Sequence, residues 1–294
     1  SQENLTDWGL GDWIPVKSKT PVEFTSSIYY YVDATILAKA AKIFGKEDDY
    51  IKYSSLANKI KKSFNNKYLN KETGEYASCN QTEQSTALYW GIVPKESIEL
   101  VANKLAEHVI KDKKHIDVGL LGSKTILNAL SDNGYSELAY EVASQETYPS
   151  WGWWIANGLS TLPENWDLEK KENDISNNHI MFGEISAWYY KAIGGIKPDQ
   201  NNPGFKNIIL EPNFIPNLNF FEAKFDGPQG EIISSWKRAK EKIIYHLIIP
   251  PNSTANLKLK AESISENMIK YVTKKGKGVF YLNLGAGEYE IEII

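Results

Sequence analysis

The stretch SSIYYYVDATILAKAAKIFGK, residues 26–46, sets the pattern that most of the chain repeats. Its apolar residues recur every three or four positions, which predicts an amphipathic helix, and Gly45 lies near its end. The stripe consists of Ile28, Val32, Ile36, Leu37, Ala40 and Ile43. Residues 47–68 repeat the pattern directly afterwards, so we predict two antiparallel helices packed as a hairpin.

The same rhythm continues to about residue 193 and predicts six further helices. They span residues 81–92, 95–111, 118–133, 135–145, 151–159 and 178–193. Most connections are short, but residues 5–24 and 162–177 form two long loops. Long loops in a tight helical array are often functional.

After Pro198 the pattern changes to short β-rich runs separated by turn residues. We predict strands at residues 208–210, 218–225, 231–238, 242–249, 255–260, 278–284 and 288–294. Regularly spaced short strands indicate an antiparallel β-sandwich, and we expect Trp236, Tyr245 and Tyr281 in its core. The chain is therefore predicted to be mainly α plus β: a helical toroid over residues 1–203, then a sandwich over residues 204–294.

The composition excludes several classes of function. The 294 residues include 33 Lys and Arg against 37 Asp and Glu, a net charge of −4, so no basic surface for nucleic acid is expected. The apolar runs are too short to span a membrane. The single Cys79 excludes an internal disulfide framework and a multi-cysteine zinc site. No phosphate loop or metal-ligand spacing is present, so no cofactor or metal is implied.

The 9 Trp and 17 Tyr residues suit either sugar-stacking platforms or a large core. Three Trp and one Tyr lie within Thr147-Tyr148-Pro149-Ser150-Trp151-Gly152-Trp153-Trp154. This cluster is interpreted either as a plug between helices or as an aromatic wall around a sugar ring. A second candidate loop is Gly9-Leu10-Gly11-Asp12-Trp13-Ile14-Pro15, in which glycines flank Asp12 and Trp13. It is either a shaped binding loop or an ordinary turn.

The segment Glu164-Asn165-Trp166-Asp167 places two carboxylates three residues apart beside an indole, and Asn178-His179 follows a polar loop. Glycoside hydrolysis requires two carboxyl groups, one to protonate the leaving oxygen and one to activate water or attack. The alternative is a solvated acidic loop, because further carboxylates lie close by in the sequence. These neighbours are Glu169, Glu172 and Asp174.

Several motifs in one order carry a family resemblance over nearly the whole chain. They are Gly11-Asp12-Trp13, Ser26 to Tyr31, Thr147 to Gly152, Glu164 to Asp167, Asn178 to Gly183, Ala187 to Tyr190, Ala192 to Asp199 and Pro203-Gly204-Phe205. This order resembles the α-L-rhamnosidases of glycoside hydrolase family 78. The resemblance implies an (α/α)6 six-hairpin barrel followed by a C-terminal β-sandwich, in agreement with the periodicity.

The resemblance also implies residue roles. The family inverts configuration with a Glu general acid and a Glu general base, and the base motif falls on Glu164, with Pro163 where many members have an aromatic residue. Asp12 and His179 are expected to hydrogen-bond sugar hydroxyls. The remaining expected substrate-binding residues are Trp13, Trp151, Trp153, Trp166 and Asp167.

One family motif has no counterpart. Nothing here matches the Arg-x-Glu-Arg-x-Gly-Trp-x-Gly-Asp-like segment of the general acid, and eight predicted helices fall short of the twelve in six hairpins. We therefore expect an N-terminally incomplete barrel that supplies the general base and much of the sugar pocket but is inactive on its own. We expect it to bind a rhamnosyl glycan or glycoside and to associate through exposed barrel faces or with the missing portion. The alternatives are an inactive carbohydrate-binding or structural fragment, and an (α/α)6 glycosidase specific for another sugar.

Overall fold

A computed structural model describes residues 4–169 and 176–294. The chain forms two compact units, Ser1–Ile185 and Ser186–Ile294. The predicted domain boundary between residues 203 and 204 stays a prediction.

The helices predicted from the periodicity are present. They are α1 (Val22–Ile43), α2 (Glu47–Tyr68), α3 (Gln81–Tyr89), α4 (Ile98–Lys111), α5 (Leu120–Asp132), α6 (Ser136–Ala143), α7 (Trp151–Ala156) and α8 (Glu184–Trp188). The helix predicted at residues 178–193 is not continuous. A 3-10 turn at Ile180–Phe182 precedes α8, and a π-helical turn at Tyr189–Ile193 follows it. A two-stranded ribbon of β1 (Leu69–Asn70) and β2 (Glu75–Tyr76) joins α2 to α3.

The first helix buries a different face from the predicted stripe in its second half. Ile36, Leu37 and Ile43 are 57%, 46% and 81% exposed. Small residues face the protein instead and let neighbouring backbone approach closely. These buried residues are Ala34, Ala38 and Ala41. Association through exposed helix faces stays a prediction.

The second unit contains two sheets. One has the strand order β3-β4-β8-β10-β9 and the other β11-β7-β6-β5. The strands are β3 (Ile196–Pro198), β4 (Asn207–Leu210), β5 (Phe220–Gly227), β6 (Gly230–Ala239), β7 (Lys242–Ile249), β8 (Thr254–Lys260), β9 (Val272–Gly276), β10 (Val279–Leu284) and β11 (Gly287–Ile293). All pairs are antiparallel except β4 with β8, which is parallel.

Two of the three aromatic residues expected in the sandwich core are buried, Trp236 and Tyr245. The prediction for Tyr281 was wrong, because its side chain is 36% exposed. Side chains alternate between faces along a strand. Phe280 and Leu282 take the inward positions of β10, which turns Tyr281 outward.

Within the described ranges, no helix is both long enough and apolar enough to cross a lipid bilayer.

Candidate active site

The segments that precede α3 and α5 meet the second long loop at one end of the helical unit. Gln81, the first residue of α3, donates its side-chain N–H to the His115 carbonyl at 3.0 Å and accepts the Asp117 backbone N–H at 2.9 Å. The Trp166 indole N–H donates to the Val118 carbonyl at 2.7 Å. Residues far apart in sequence therefore converge where α5 begins.

Asp12 binds the N-terminus of α5. Its buried carboxylate accepts the backbone N–H groups of Gly119, Leu121 and Gly122 at 2.8, 2.7 and 3.0 Å, and the Thr82 hydroxyl at 2.6 Å. These are N–H groups that have no partner within a helix. Burial raises the pKa of Asp12, and its four hydrogen bonds oppose that shift.

A carboxylate has about four lone-pair sites, so protein donors fill those of Asp12. The predicted contact of Asp12 with sugar hydroxyls has no support in this geometry. The residue instead caps a helix that begins more than a hundred positions later.

Trp13, the next residue, also contacts the start of α5 and is 48% exposed. The Trp13 carbonyl accepts the Leu120 backbone N–H at 2.9 Å. A Cβ atom on Gly119 would lie 2.3 Å from the Trp13 carbonyl oxygen, so only glycine allows this approach. Trp13 is therefore held by its backbone at the start of α5, with its ring open to solvent.

Four aromatic side chains form a packed layer at this end of the unit. Trp154 and Trp166 stack with ring centroids 4.5 Å apart, Trp151 meets Trp166 edge-on at 5.2 Å, and Phe182 lies 4.3 Å from Trp166. All four are buried, and the Trp151 indole N–H donates to the Phe182 carbonyl at 2.9 Å. Trp151 and Trp166, both predicted to contact sugar, belong to this inner layer, which favours the interpretation of the cluster as a plug.

Tyr148 and Trp153 lie closer to solvent. Their rings meet edge-on at 5.0 Å, Tyr148 is 42% exposed, and Trp153 is half-buried. The Ser150 hydroxyl accepts the Trp153 backbone N–H at 3.0 Å, which caps α7 and sets the direction of this aromatic pair. Burial raises the pKa of Tyr148, and the charges of Asp167 and Asp117 raise it further.

Glu164 and His179 lie on two paired segments. The Glu164 backbone N–H donates to the Ser176 carbonyl and the His179 backbone N–H to the Leu162 carbonyl, both at 2.8 Å. The Glu164 carboxylate also accepts the Ser176 backbone N–H at 3.2 Å. The His179 Nδ1 accepts the Met181 N–H at 3.1 Å, so a neutral ring carries its proton on Nε2. Both side chains are half-buried.

Asp167 is half-buried on the same segment as Glu164. It accepts the backbone N–H of exposed Glu169 at 2.9 Å. Two other members of the alternative acidic loop, Glu172 and Asp174, lie outside the described residues.

Sequence reasoning did not identify Asp117 as a member of this region. Its buried carboxylate accepts the Lys17 and Ser18 backbone N–H groups at 2.7 and 3.2 Å and the Ser18 hydroxyl at 2.6 Å. Together with Asp12, it fixes the first long loop onto the residues before α5. No local motif marks Asp117, because its partners lie about a hundred positions away.

Across residues 4–169 and 176–294, no three His, Cys, Asp or Glu side chains are grouped so as to hold a metal ion.

Comparisons with known proteins indicate one family for both units of the chain. The bacterial alpha-L-rhamnosidase 6-hairpin glycosidase domain matches residues 1–193, and the bacterial alpha-L-rhamnosidase C-terminal domain matches residues 195–273. An alpha-L-rhamnosidase of Formosa agariphila is 30% identical, over 96% of this chain and 32% of the relative.

Two solved structures are also similar. The Streptomyces avermitilis alpha-L-rhamnosidase complexed with L-rhamnose has a TM-score of 0.91 at 25% identity, over 100% of this chain and 29% of that one. The alpha-L-rhamnosidase of Dictyoglomus thermophilum has a TM-score of 0.90 at 31% identity, over 99% and 34%. The chain thus spans about a quarter to a third of the length of the relatives it matches.

Proposed function

Because the chain belongs to the bacterial alpha-L-rhamnosidase six-hairpin glycosidase family, we propose that it acts in the hydrolysis of terminal α-L-rhamnose with inversion at the anomeric carbon. In this proposal Glu164 is the general base and the residues around it form much of the sugar pocket. The L-rhamnose bound to the Streptomyces avermitilis relative supports rhamnose as the sugar.

The pairing of residues 162–164 with residues 176–179 carries the proposal. It holds Glu164 and His179 on adjacent segments, and the backbone N–H of Ser176 orients the Glu164 carboxylate. The buried aromatic layer supports both segments, since Trp166 follows Glu164 closely and its ring packs on Phe182 at 4.3 Å. A general base needs this kind of fixed position to reach the proton of an attacking water.

In the reaction, Glu164 takes a proton from water, and the water oxygen bonds to the anomeric carbon as the bond to the leaving oxygen breaks. A general acid on the opposite face protonates the leaving oxygen, with the two carboxyl groups about 6.5–9.5 Å apart in inverting enzymes. Protein donors occupy Asp12 and Asp117, so we assign neither to the acid role. No motif of this chain corresponds to the family's general-acid segment.

The sugar pocket in this proposal uses the accessible aromatic side chains. Trp13, Tyr148 and Trp153 have exposed or half-exposed rings and enclose the sugar, whose 6-methyl group suits an apolar wall. Asp167 and the Nε2–H of His179 bind hydroxyl groups. Trp151 and Trp166 support this wall from beneath.

The test is Glu164→Gln, with Glu169→Gln as the matched control on the same loop. The substrate is an aryl α-L-rhamnoside whose leaving group departs without a general acid, such as 2,4-dinitrophenolate. We expect its hydrolysis by the chain to fall about 10²–10⁴-fold in Glu164→Gln and to be unchanged in the control. Azide needs no base, so it should restore release of the aryl alcohol and give a β-rhamnosyl azide. Near-normal hydrolysis by Glu164→Gln, or an α-configured first product by NMR, would refute the proposal.

The missing acid motif favours a second candidate, a sugar-binding role without catalysis. Calorimetry with L-rhamnose separates the two functions. Binding without any hydrolysis of aryl rhamnosides supports the second candidate, and hydrolysis excludes it. A panel of other aryl glycosides tests the alternative of another sugar, because a rhamnosidase prefers the rhamnoside.

A further inference from the structure

The outer face of the five-stranded sheet carries a groove of about 430 Å³. The central strands β8 and β10 form its floor, and β4 and β9 form its sides. Its polar lining side chains on β8 and β10 occupy outward positions, and Glu211 directly follows β4. The groove lies within the second unit, so it is independent of Glu164.

Strand register arranges these side chains in two rows across the sheet. In the first row, Ile209 of β4 pairs with Asn256 of β8, which pairs with Asn283 of β10. In the second row, Lys258 of β8 pairs with Tyr281 of β10, which pairs with Lys274 of β9. The first row therefore presents two amide groups, and the second presents an aromatic ring between two ammonium groups.

The register of β9 and β10 shifts between Tyr281 and Leu282. Beyond the shift Leu282 pairs with Val272, so Thr273 is an extra residue on β9, and its hydroxyl donates to the Tyr281 carbonyl at 3.2 Å. A bulge of this kind bends its strand and redirects side chains. This feature distinguishes the groove from a flat sheet face.

The groove carries a local positive charge, although the whole chain has a net charge of −4. Lys258 lies 3.6 Å from Glu211, the acidic residue that lines the groove. Lys274 lies over the Tyr281 ring at 5.6 Å and forms no ion pair within the described part of the chain. Exposed Lys260 shares the outward face of β8 with Lys258.

The two amides are also available for a ligand. Asn256 and Asn283 are exposed, directly opposite each other, and their side chains make no hydrogen bond to another described residue. An Asn side chain offers both donors and an acceptor, which matches neighbouring hydroxyl groups on a sugar. An exposed tyrosine ring offers the apolar surface on which the C–H face of a sugar packs.

We propose that this groove binds an acidic glycan, specifically an oligosaccharide that contains uronic acid residues. One sugar ring packs on Tyr281, Asn256 and Asn283 bind its hydroxyls, and the ammonium groups of Lys274 and Lys258 bind the carboxylate. The second unit would thereby hold a polysaccharide at a point separate from the candidate active site. A neutral glycan would leave the ammonium group of Lys274 without an ionic partner in the described part of the chain.

The test is calorimetric titration of the full chain with an oligogalacturonide, a neutral glucan of the same length, and an oligonucleotide of matched charge. We expect millimolar binding of the uronate alone, weakening several-fold when salt rises from about 50 to 500 mM, because the Debye length shortens. Tyr281→Ala should weaken binding at least tenfold, and Tyr281→Phe should retain it. Lys274→Ala should weaken binding several-fold and reduce its salt dependence.

Lys237→Ala is the control, because Lys237 is an exposed lysine on β6 of the other sheet. It should bind like the unaltered chain, as should Glu164→Gln. Unchanged melting temperatures will show that the groove variants fold. The proposal is overturned if the uronate does not bind, if the glucan or the oligonucleotide binds equally well, or if the Tyr281 and Lys274 variants bind like the control.

Discussion

Replacing Asp12 with alanine should strongly destabilise the first unit. The Asp12 carboxylate accepts N–H groups of Gly119, Leu121 and Gly122 at the start of α5. Without the carboxylate these N–H groups would bind water or remain without an acceptor, because the N-cap residue of α5 is Gly119, which has no side chain to cap the helix.

The magnitude follows from those three donors. Leaving a buried donor without a partner costs about 1–3 kcal/mol. Taking the lower value for each N–H, and allowing the Thr82 hydroxyl to rotate toward another acceptor, we expect a loss of about 3 kcal/mol in the free energy of unfolding. Asp12→Asn keeps the shape and one acceptor oxygen, so it should lose less.

Urea unfolding followed by circular dichroism and tryptophan fluorescence measures both changes. Asp33→Ala is the control, because Asp33 is exposed on α1 and a surface substitution of this kind changes stability by about 0.5 kcal/mol or less. A loss below about 1 kcal/mol in Asp12→Ala would show that water replaces the carboxylate well, and the reasoning would be wrong.

Three further outcomes follow from the described contacts. Gly119→Ala should lower the free energy of unfolding by about 1–3 kcal/mol and raise the KM for rhamnosides, because its Cβ would lie 2.3 Å from the Trp13 carbonyl oxygen. Urea unfolding measures the loss, and Gly285→Ala is the control, because its Cβ would meet no atom within 4 Å. Trp166→Phe should cost about 2 kcal/mol, measured the same way, because the buried carbonyl that accepts its indole N–H loses its partner. Burial raises the pKa of Cys79 to about 12, so iodoacetamide at pH 8 should label it only after unfolding. Rapid labelling of the native protein would refute this prediction. Since the unfolded thiol ionises at a lower pH than the folded one, the free energy of unfolding should fall as the pH rises above 9.0, the ordinary pKa of a cysteine thiol.

The sequence predicted the elements of this fold well because their signals are local. Helix periodicity and turn residues identified the helical array, and alternation identified most strands. Strands β3 and β9 were missed because they are short and lie beside glycine or lysine clusters. The second half of α1 was misjudged because its apolar spacing does not reveal which face meets α2, and alanines occupy that face.

The sequence motifs pointed to the residues of the candidate site but not to how deeply each side chain is buried. Aromatic motifs identified the cluster that contains Trp151 and Trp166, yet only packing against Phe182 decides that these rings are buried. A sequence cannot show that Asp12 caps a distant helix, because a helix that lacks its own cap gives no indication of where the acceptor comes from. Asp117 was not predicted because its partners Lys17 and Ser18 lie about a hundred positions away.

The contact between Asp12 and α5 also bears on the order of folding. Its partners lie 107 to 110 residues away, so a very long loop must close before the contact compensates the desolvation of Asp12. The N-terminus of α5 must already exist when Asp12 arrives, which puts this contact on the native side of the folding barrier. Asp12→Ala should therefore accelerate unfolding and leave the refolding rate nearly unchanged in stopped-flow fluorescence. The Asp12 carboxylate therefore determines the lifetime of the folded first unit and has little effect on how fast that unit forms.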